Sequence, residues 1–266
     1  MKKKIDGKTV LITGASSGIG RQLALDLAAN GTYVILVARR RERLLAVQQQ
    51  IEKYGGRADI RECDLADRDA RQDLTASLLT EGKPIDILIN NAGFGWYGFF
   101  SDMPDEIVKD IVEVNINAML ELTRALLPQM RTRGEGHIIN IGSIAGGFPN
   151  QGIAVYSASK AFMDAFTTSL HRELHGSGVD VSVVRLGPVK TEFFDTARNI
   201  KNGRRVPGEL FAIPVDRAVR AIRRVIIHPR RLVYAPAYLQ GTRLVENLFG
   251  GLIDKIGPLL LKKRTD

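Results

Sequence analysis

The hydrophobic positions of this chain follow two alternating spacings. Short runs rich in Val, Ile and Leu predict buried strands, and between them apolar residues recur at the three- and four-residue intervals of amphipathic helices. The strand-like runs lie at residues 8–13, 32–38, 57–63, 85–90, 136–142, 179–185 and 231–236. Strands alternating with helices indicate an α/β fold with a doubly wound parallel sheet and helices on both faces. In such a sheet, ligands bind beyond the carboxyl ends of the strands, where the strand order reverses.

The length and composition favour one compact unit. A chain of 266 residues that is 44% hydrophobic can bury one substantial core, so we expect a single domain over residues 1–266. The alternating pattern breaks at a Gly-, Pro- and Arg-rich segment from Asn199 to Pro214. A loop of that length in a compact domain is usually functional or mobile. The single cysteine, Cys63, excludes an intrachain disulfide and fits a reducing compartment.

The positive charge is concentrated in the last quarter of the chain. The formal net charge is +9, yet residues 198–266 alone hold 15 Lys and Arg against 5 Asp and Glu, so the remainder is close to neutral. This asymmetry suggests an anionic partner surface, either a membrane or a nucleic acid. The Arg-rich stretch at 216–227 is amphipathic, and its apolar face should dock on the sheet, so we expect no nucleic-acid partner.

The C-terminal segment, about residues 238–266, is both apolar and basic. Its apolar stretch at 244–261 is interrupted by Glu246, Asp254, Lys255 and Pro258 and is therefore not expected to span a bilayer. Its apolar positions are Leu248, Phe249, Leu252, Ile253 and Ile256, followed by Lys262, Lys263 and Arg264. This face could lie at a membrane surface, pack against a neighbouring subunit or cover a substrate pocket. The basic N-terminus is not a signal peptide, and we expect a cytoplasmic protein, with peripheral membrane contact as an open alternative.

A glycine-rich stretch at 13–20, TGASSGIG, lies between the first predicted strand and the first predicted helix. Glycine allows the main chain to turn sharply and to approach a phosphate closely, and a helix N-terminus offers free N–H groups to an anion. The spacing is Gly-x3-Gly-x-Gly rather than the general Gly-x-Gly-x-x-Gly fingerprint. The position still predicts a site for the pyrophosphate of a dinucleotide.

A second motif carries acid–base chemistry. Tyr156 and Lys160 are four residues apart in a helix predicted over residues 155–175, so they share one face. A phenol with a pKa near 10 is a poor proton donor and acceptor at neutral pH unless a nearby ammonium favours its ionised form. Ser143, at the carboxyl end of a predicted strand, could hold a substrate oxygen against the tyrosine hydroxyl.

Four motifs in sequence order resemble the short-chain dehydrogenase/reductase family over roughly residues 8–195. They are TGASSGIG at 13–20, Asn90-Asn91-Ala92-Gly93, Ser143, and Tyr156 with Lys160. The resemblance implies a Rossmann-type fold, a nicotinamide-dependent oxidoreductase and a substrate-covering loop at about 192–214. It also implies a homodimer or homotetramer, joined through the helices that carry Asn115 and Tyr156. One departure is Leu186, where relatives commonly have a proline, and it should alter the stiffness of the following loop.

The family resemblance assigns roles residue by residue. The catalytic residues would be Asn115, Ser143, Tyr156 and Lys160, with Asn115 distorting its helix and holding a water joined to the lysine. The cofactor-binding residues would be Gly14, Ser16, Ser17, Gly18, Ile19, Gly20, Arg39, Asp64, Leu65, Asn91, Ala92, Gly93, Tyr156, Lys160, Pro188, Val189 and Thr191. Lys160 would bind the nicotinamide ribose and Thr191 the carboxamide. Asp64 and Leu65 would bracket the adenine, although Asp64 could instead cap the next helix, predicted from Ala66.

The residue after the second strand predicts which cofactor is preferred. A site for NAD(H) would place Asp or Glu there to bind the ribose 2′-hydroxyl, whereas this chain has Arg39. An arginine can clasp a 2′-phosphate with paired, charge-assisted hydrogen bonds, so we expect NADP(H) to be preferred over NAD(H). The arginines at 40, 41 and 43 are as readily explained by a solvated, basic start to the next helix.

The substrate site is predicted from aromatic residues near the motifs. The substrate residues would be Ser143, Phe94, Phe148 and Phe193, and the stretch at 94–100 contains the only tryptophan. Such a pocket favours an apolar ketone or aldehyde, or the corresponding secondary alcohol. The alternative is a catalytically idle NADP(H)-binding sensor or interaction protein, which the intact Ser143, Tyr156 and Lys160 disfavour. The four histidines show no ligand spacing, so we expect no metal.

Overall fold

The computed structural model describes residues 5–262, with the side chains of 243, 246, 247 and 256–262 left out. Seven parallel strands form one sheet: β1 Thr9–Thr13, β2 Tyr33–Ala38, β3 Arg57–Glu62, β4 Ile87–Asn90, β5 Gly136–Ser143, β6 Val179–Leu186 and β7 Leu232–Ala235. Their order is β3-β2-β1-β4-β5-β6-β7. The predicted doubly wound α/β sheet is confirmed, and every strand lies within two residues of its predicted bounds.

Helices cover both faces of this sheet. They are α1 Gly18–Ala28, α2 Arg41–Lys53, α3 Arg68–Thr80, α4 Asp105–Val112, α5 Ala118–Arg133, α6 Ala154–Glu173, α7 Phe193–Asn199, α8 Val215–Ile227 and α9 Thr242–Lys262. Alternate residues of a strand point to opposite faces of the sheet. Because helices cover both faces, the residues on either face are apolar. Val10 and Ile12 of β1 belong to the core shared with α1 and α8, while Leu11 belongs to the core shared with α3, α5 and α6.

The strand order reverses between β1 and β4, and this reversal locates the site. β1 pairs with β2 on one side and with β4 on the other, and the chain crosses from one half of the sheet to the other between β3 and β4. The carboxyl ends of β1 and β4 therefore open a crevice at their shared edge. The glycine loop follows β1 and residues 91–93 follow β4, so both predicted motifs lie at this crevice.

The structure corrects the predicted start of α3. This helix begins at Arg68, and its N-cap is Asp67, whose carboxylate accepts from the amides of Asp69 and Ala70. The alternative role of Asp64 as the cap of a helix starting at Ala66 was therefore wrong. Asp64 instead accepts from the amide of Ala66 at 3.0 Å, which closes a local turn before the helix.

The segment predicted as a loop, about 192–214, contains short helical pieces. It includes α7 and a 3₁₀ turn at Pro207–Phe211. Its end returns to the sheet side of the molecule, since Val189 and Ile213 form a parallel bridge with hydrogen bonds on both sides. These helical pieces are not predictable from the sequence pattern, because they are short and their apolar residues do not repeat at helical spacing.

The chain continues from β7 through a 3₁₀ turn at Ala237–Gly241 into the long helix α9. Over the described residues, no helix is both long enough and apolar enough to cross a bilayer. Two residues of the predicted basic terminus, Lys263 and Arg264, lie outside the described residues, and so does the side chain of Ile256.

Candidate active site

The glycine loop after β1 folds into a turn that only glycine fits. Gly14 and Gly18 have φ of +66° and +52°, in the left-handed region that L side chains rarely adopt. A Cβ on Gly20 would lie 2.3 Å from the carbonyl oxygen of Gly14, and one on Gly14 would lie 3.0 Å from the Cα of Ala92. The loop is thus held against the residues after β4, and Ser17 is the N-cap of α1 with no side-chain cap of its own.

The strand-end residue Thr13 joins the two motifs. Its hydroxyl accepts from the amides of Asn91 and Ala92, both at 3.0 Å, and the Asn91 side chain donates to the Thr13 carbonyl at 2.9 Å. Asn91 is therefore a structural clamp on the glycine loop, and Gly93 follows it at the surface of the crevice. Thr13 was not among the predicted site residues, although it begins the TGASSGIG motif.

This cradle fits a nicotinamide dinucleotide. Gly14, Gly18 and Gly20 have no side chain to obstruct a pyrophosphate that approaches the main chain. The first turn of α1 presents its free N–H groups at the same place. Ser16, Ser17 and Ile19 complete the turn between β1 and α1. The residues that would hold the pyrophosphate are those of this loop.

The end of β2 carries two arginines with different surroundings. Arg39 is exposed, and its guanidinium lies 3.9 Å from the carboxylate of Asp64. Arg40 reaches the glycine loop, donating to the hydroxyl of Ser16 at 3.1 Å and of Ser17 at 2.8 Å. It also pairs with Glu192 at 3.0 Å. The sequence predicts that Arg39 binds the 2′-phosphate, whereas in the structure Arg40 is the arginine in contact with the glycine loop.

The predicted adenine bracket lies beside this corner. Asp64 follows Cys63 at the end of β3, and its neighbour Leu65 is buried. The carbonyl oxygen of Leu65 accepts from the buried guanidinium of Arg71 at 2.7 Å. Arg71 in turn pairs with Glu113 and Glu121, so a buried charge network fixes the backbone at this position.

The loop after β6 closes the crevice from the other side. Pro188 accepts from the amide of Ile213 at 2.9 Å, and Val189 is buried. A Cβ on Gly18 would lie 3.1 Å from the Cγ2 of Thr191, so this loop contacts the glycine loop directly. The hydroxyl of Thr191 also accepts from the amide of Phe193, which begins α7.

Asn115 lies in a π-helical turn, Glu113–Asn117, between α4 and α5. It is fully buried, and its side chain exchanges hydrogen bonds with the backbone of Phe94, accepting from the amide at 3.1 Å and donating to the carbonyl at 3.0 Å. It also donates to the hydroxyl of Ser159 at 3.0 Å. The helix distortion implied by the resemblance is present, and Asn115 joins the loop after β4 to α6.

Lys160 of α6 points into the crevice. Its ammonium donates to the carbonyl oxygen of Ile141 in β5 at 2.9 Å, and a Cβ on Gly93 would lie 3.4 Å from its Nζ. Burial lowers the pKa of Lys160 to about 8, and the negative charge of Asp164 acts in the opposite direction. Lys160 is therefore mostly an ammonium at neutral pH, close to the point where it titrates.

The side chains of Ser143 and Tyr156 are close enough for the serine to affect the pKa of the phenol. Ser143 ends β5, and its hydroxyl accepts from the amide of Ala145 at 3.1 Å, which fixes its rotamer. Burial raises the pKa of Tyr156 to about 12, and the Ser143 side chain acts in the opposite direction. Tyr156 is therefore a neutral phenol that carries a proton at neutral pH, with the Lys160 ammonium 5.8 Å from its ring centre.

A buried ion pair that the sequence did not predict lies behind Lys160. Asp164, one helical turn after Lys160 on α6, pairs with Arg185 of β6 at 2.9 Å. Arg185 also donates to the hydroxyl of Tyr234 in β7. A Cβ on Gly146 would lie 2.5 Å from the Asp164 carboxylate, so the pair supports the turn that follows Ser143. Long-range pairs of this kind leave no local signal in a sequence.

The predicted aromatic residues surround the tyrosine unevenly. Phe193 packs on Tyr156 with ring centres 5.4 Å apart, and Phe94 packs with the buried Trp96. Phe148 lies beyond Ser143, where its amide donates to the carbonyl of Ile144 at 2.8 Å. A cleft with a volume of about 90 Å³ is lined by Trp96, Gly98, Phe99, Phe100, Met103, Gly152, Ile153, Ala154, Val155 and Tyr156.

Comparison with known proteins identifies relatives of this arrangement. An uncharacterised oxidoreductase of Myxococcus xanthus is 38% identical over 189 residues, covering 71% of this chain and 75% of its own length. An NADP-dependent 3-hydroxy acid dehydrogenase of Salmonella typhi is 37% identical over 192 residues, with the same coverage. In eight of the curated relatives, the matched region spans 53% to 75% of the relative's length.

A solved structure agrees over nearly the whole chain. The short-chain dehydrogenase of Sphingobium yanoikuyae in complex with NADPH is 30% identical, with a TM-score of 0.81 over 93% of this chain and 95% of that chain. The family model for short chain dehydrogenases matches residues 8–202, which include the glycine loop, Ser143, Tyr156 and Lys160. This chain therefore belongs to the short-chain dehydrogenase/reductase family of oxidoreductases.

Proposed function

We propose that this protein is an NADP(H)-dependent oxidoreductase that interconverts an apolar ketone or aldehyde and the corresponding alcohol. One observation carries the proposal. Tyr156, a neutral phenol next to Ser143, lies beside the Lys160 ammonium at the crevice formed by the glycine loop. That arrangement can deliver a proton to a carbonyl oxygen.

The proton chemistry follows from these three side chains. Ser143 holds the substrate oxygen by a hydrogen bond, and Tyr156 donates its proton to that oxygen as general acid. The phenolate left behind is stabilised by the Lys160 ammonium and by the Ser143 hydroxyl. Asn115 positions Lys160 indirectly, through Ser159 of α6 and the backbone of Phe94. A bound nicotinamide cofactor supplies the hydride for the reductive direction.

The preference for NADP(H) rests on charge at the end of β2. Arg39, Arg40 and Arg43 lie there, and no carboxylate follows Ala38 to bind a ribose 2′-hydroxyl. Arg40 is held over Ser16 and Ser17, within reach of the loop that would hold the pyrophosphate. Two of the relatives described above are NADP- or NADPH-binding proteins by name.

We expect Arg40→Ala to weaken NADPH binding by about tenfold or more while changing NADH binding little, because a charge-assisted phosphate contact is lost. Isothermal titration of both cofactors measures this, with Arg39→Ala as the matched neighbour. A loss confined to Arg39→Ala would return the 2′-phosphate to Arg39. Equal losses for NADPH and NADH in both variants would contradict the proposed preference.

The apolar substrate class rests on the cleft beside Tyr156. None of the ten residues that line it is charged, and four of them are aromatic. Such walls favour apolar groups next to the reacting carbonyl. At the rim, the Arg204 guanidinium lies 5.4 Å from the ring centre of Phe99. The carboxylate of an acidic substrate would have to bind Arg204 at the rim, because no charged residue lines the cleft itself.

NADPH oxidation tests the activity and the substrate class together. We expect turnover with apolar ketones and aldehydes and much weaker turnover with 3-oxo acids of similar size. A preference for the acids, abolished by Arg204→Ala, would overturn the apolar class but leave the oxidoreductase. NADPH binding without turnover on either panel would contradict the enzyme and favour the idle cofactor-binding alternative.

We infer that the protein is a homo-oligomer. The outward face of α6 exposes Ala158, Ala161, Phe162 and Ala165 at helical spacing, and small residues allow a second helix to approach closely. The same helix carries Tyr156 and Lys160 on its inner face. An interface on α6 would therefore stiffen the catalytic helix from outside.

A further inference from the structure

A large share of the exposed large hydrophobic residues lies in one stretch of the sequence. Of the thirteen exposed large hydrophobic residues among the described side chains, eight lie between residues 210 and 252. They are Leu210, Phe211, Tyr238, Leu244, Val245, Leu248, Phe249 and Leu252, here named the apolar patch. Phe211 is 80% exposed and Leu248 is 66% exposed, so most of each side chain is in contact with solvent.

The helix α9 contributes most of this patch as a single stripe. Positions 244, 245, 248, 249 and 252 recur at one- and four-residue steps, which places them on one face of the helix. All five side chains are exposed, so the rest of the described structure does not cover the stripe. Removing the exposed apolar face of an amphipathic helix from water lowers the free energy.

The rest of the patch lies beside the loop that closes the active site. A Cβ on Gly187 would lie 2.7 Å from the side chain of Leu239, next to Tyr238, and one on Gly208 would lie 3.3 Å from the ring of Pro188. The two 3₁₀ turns that carry Phe211 and Tyr238 therefore contact consecutive residues of the loop after β6. This loop leads directly to Thr191 and the substrate side of the crevice.

Charge distinguishes between the possible occupants of the patch. Residues 198–266 carry a net charge of +10. Lys255 is exposed on α9, Lys262 is the last residue of this helix, and Lys263 and Arg264 follow it in the sequence. A second copy of the chain would meet the same patch by two-fold symmetry and bring two strongly basic regions together. An anionic bilayer has the opposite charge, and each basic residue near it adds to the attraction.

We propose that the apolar patch docks this protein on the surface of an anionic lipid bilayer, with α9 lying in the plane of the interface. Leu248, Phe249 and Leu252 would enter the boundary between headgroups and acyl chains, and the basic residues would face the headgroups. The mouth of the active site would then open towards the lipid, from which an apolar substrate could enter without crossing water. Only this last consequence rests on the proposed substrate class.

Vesicle flotation of the full-length protein tests the proposal. We expect the protein to float with phosphatidylcholine vesicles that contain phosphatidylserine, to bind about tenfold less with pure phosphatidylcholine, and to be released by high salt. Leu248→Glu with Phe249→Glu should reduce flotation about tenfold or more. Leu79→Glu, at an exposed leucine of α3 outside the patch, is the matched control and should float like the starting protein.

The remaining outcomes separate this proposal from the others. Thermal unfolding of each variant checks that it is folded. We expect the midpoints to match that of the starting protein, because both glutamates replace exposed side chains. Light scattering that shows the Leu248→Glu, Phe249→Glu protein to be smaller, with no flotation of the starting protein, would assign the patch to a second copy and overturn the proposal. Flotation needs no substrate, so its failure would leave the proposed reaction standing, and a failed turnover assay would leave the docking surface standing.

Discussion

Burial acts in opposite directions on the two residues that carry the proton. It raises the pKa of Tyr156 to about 12 and lowers that of Lys160 to about 8, because an apolar environment disfavours the charged form of each. The phenol therefore holds its proton until a substrate oxygen develops negative charge. The ammonium keeps its charge at neutral pH, where it can compensate the phenolate. The pair is thus suited to protonating a carbonyl rather than to resting as an ion pair.

Tyr156→Phe removes this proton donor and little else. The ring keeps its packing on Phe193, and the close approach of Gly95 is preserved, so the fold and the glycine loop should be unaffected. We expect the turnover number for reduction to fall roughly 100- to 10,000-fold, the usual contribution of general acid catalysis. The dissociation constant for NADPH, measured by fluorescence titration, should stay within about twofold. Residual turnover above about a tenth would remove Tyr156 from the acid role.

The rate of reduction should fall as the pH rises through about 8. Loss of the Lys160 proton removes the positive charge that stabilises the Tyr156 phenolate, so the deprotonated enzyme is the inactive one. The charges facing Lys160 are Asp164 on its own helix and, beyond it, Arg185 of β6. Because Asp164 raises the pKa of Lys160, Asp164→Asn should move the alkaline limb to lower pH. An unchanged limb in a folded variant would show that another group controls it.

At the scale of the elements, the strands were predictable and the connections were not. Runs such as Val10-Leu11-Ile12 are apolar on both faces, and that signal is local. Arg40 and Asp164 escaped prediction because their roles depend on partners 23 to 24 and 21 residues away, in the glycine loop and in β6. The motif residues were brought to one crevice as predicted, because parallel strands end at the same edge. Their roles in catalysis stay predictions until tested.

The pairing of β5 with β6 buries His137, whose Nε2 lies 2.8 Å from the Ser182 hydroxyl. Burial lowers its pKa from 6.5 to about 3. Below pH 6.5 the unfolded chain binds a proton that the folded chain excludes, so this residue's share of the stability is complete above pH 6.5. It is lost as the pH falls towards 3, by about 1.4 kcal/mol per pH unit.

His137→Gln should therefore flatten the fall of the unfolding free energy between pH 6.5 and pH 4. Urea unfolding at several pH values measures the difference between the two proteins, in which the contribution of the carboxylates cancels. The exposed His175 provides the control, since His175→Gln should leave the slope unchanged. A slope equal to that of the starting protein in both variants would show that His137 titrates freely in the folded state.

At the scale of the whole molecule, two exposed apolar surfaces suit different partners. The apolar patch lies within the basic last quarter and suits an anionic surface. The outer face of α6 has three exposed alanines and Phe162, all uncharged, and suits a second helix. Self-association through the apolar patch would bring two basic regions together, and their like charges would repel each other. Self-association through these uncharged residues of α6 would not. The two surfaces share no residue, so each can be tested by substitutions that leave the other unchanged.

Ala165→Arg tests the first of these contacts. Ala165 is exposed on the outer face of α6, and an arginine there would hold the helices of two copies apart while leaving the buried face of α6 intact. We expect light scattering to show at least twice the 29.3 kDa mass of one chain for the starting protein and a single chain for the variant. Ala76→Arg, an equally exposed position on α3, should leave the mass unchanged. A starting protein at 29.3 kDa would contradict the oligomer, and an unchanged mass in Ala165→Arg would place the interface elsewhere.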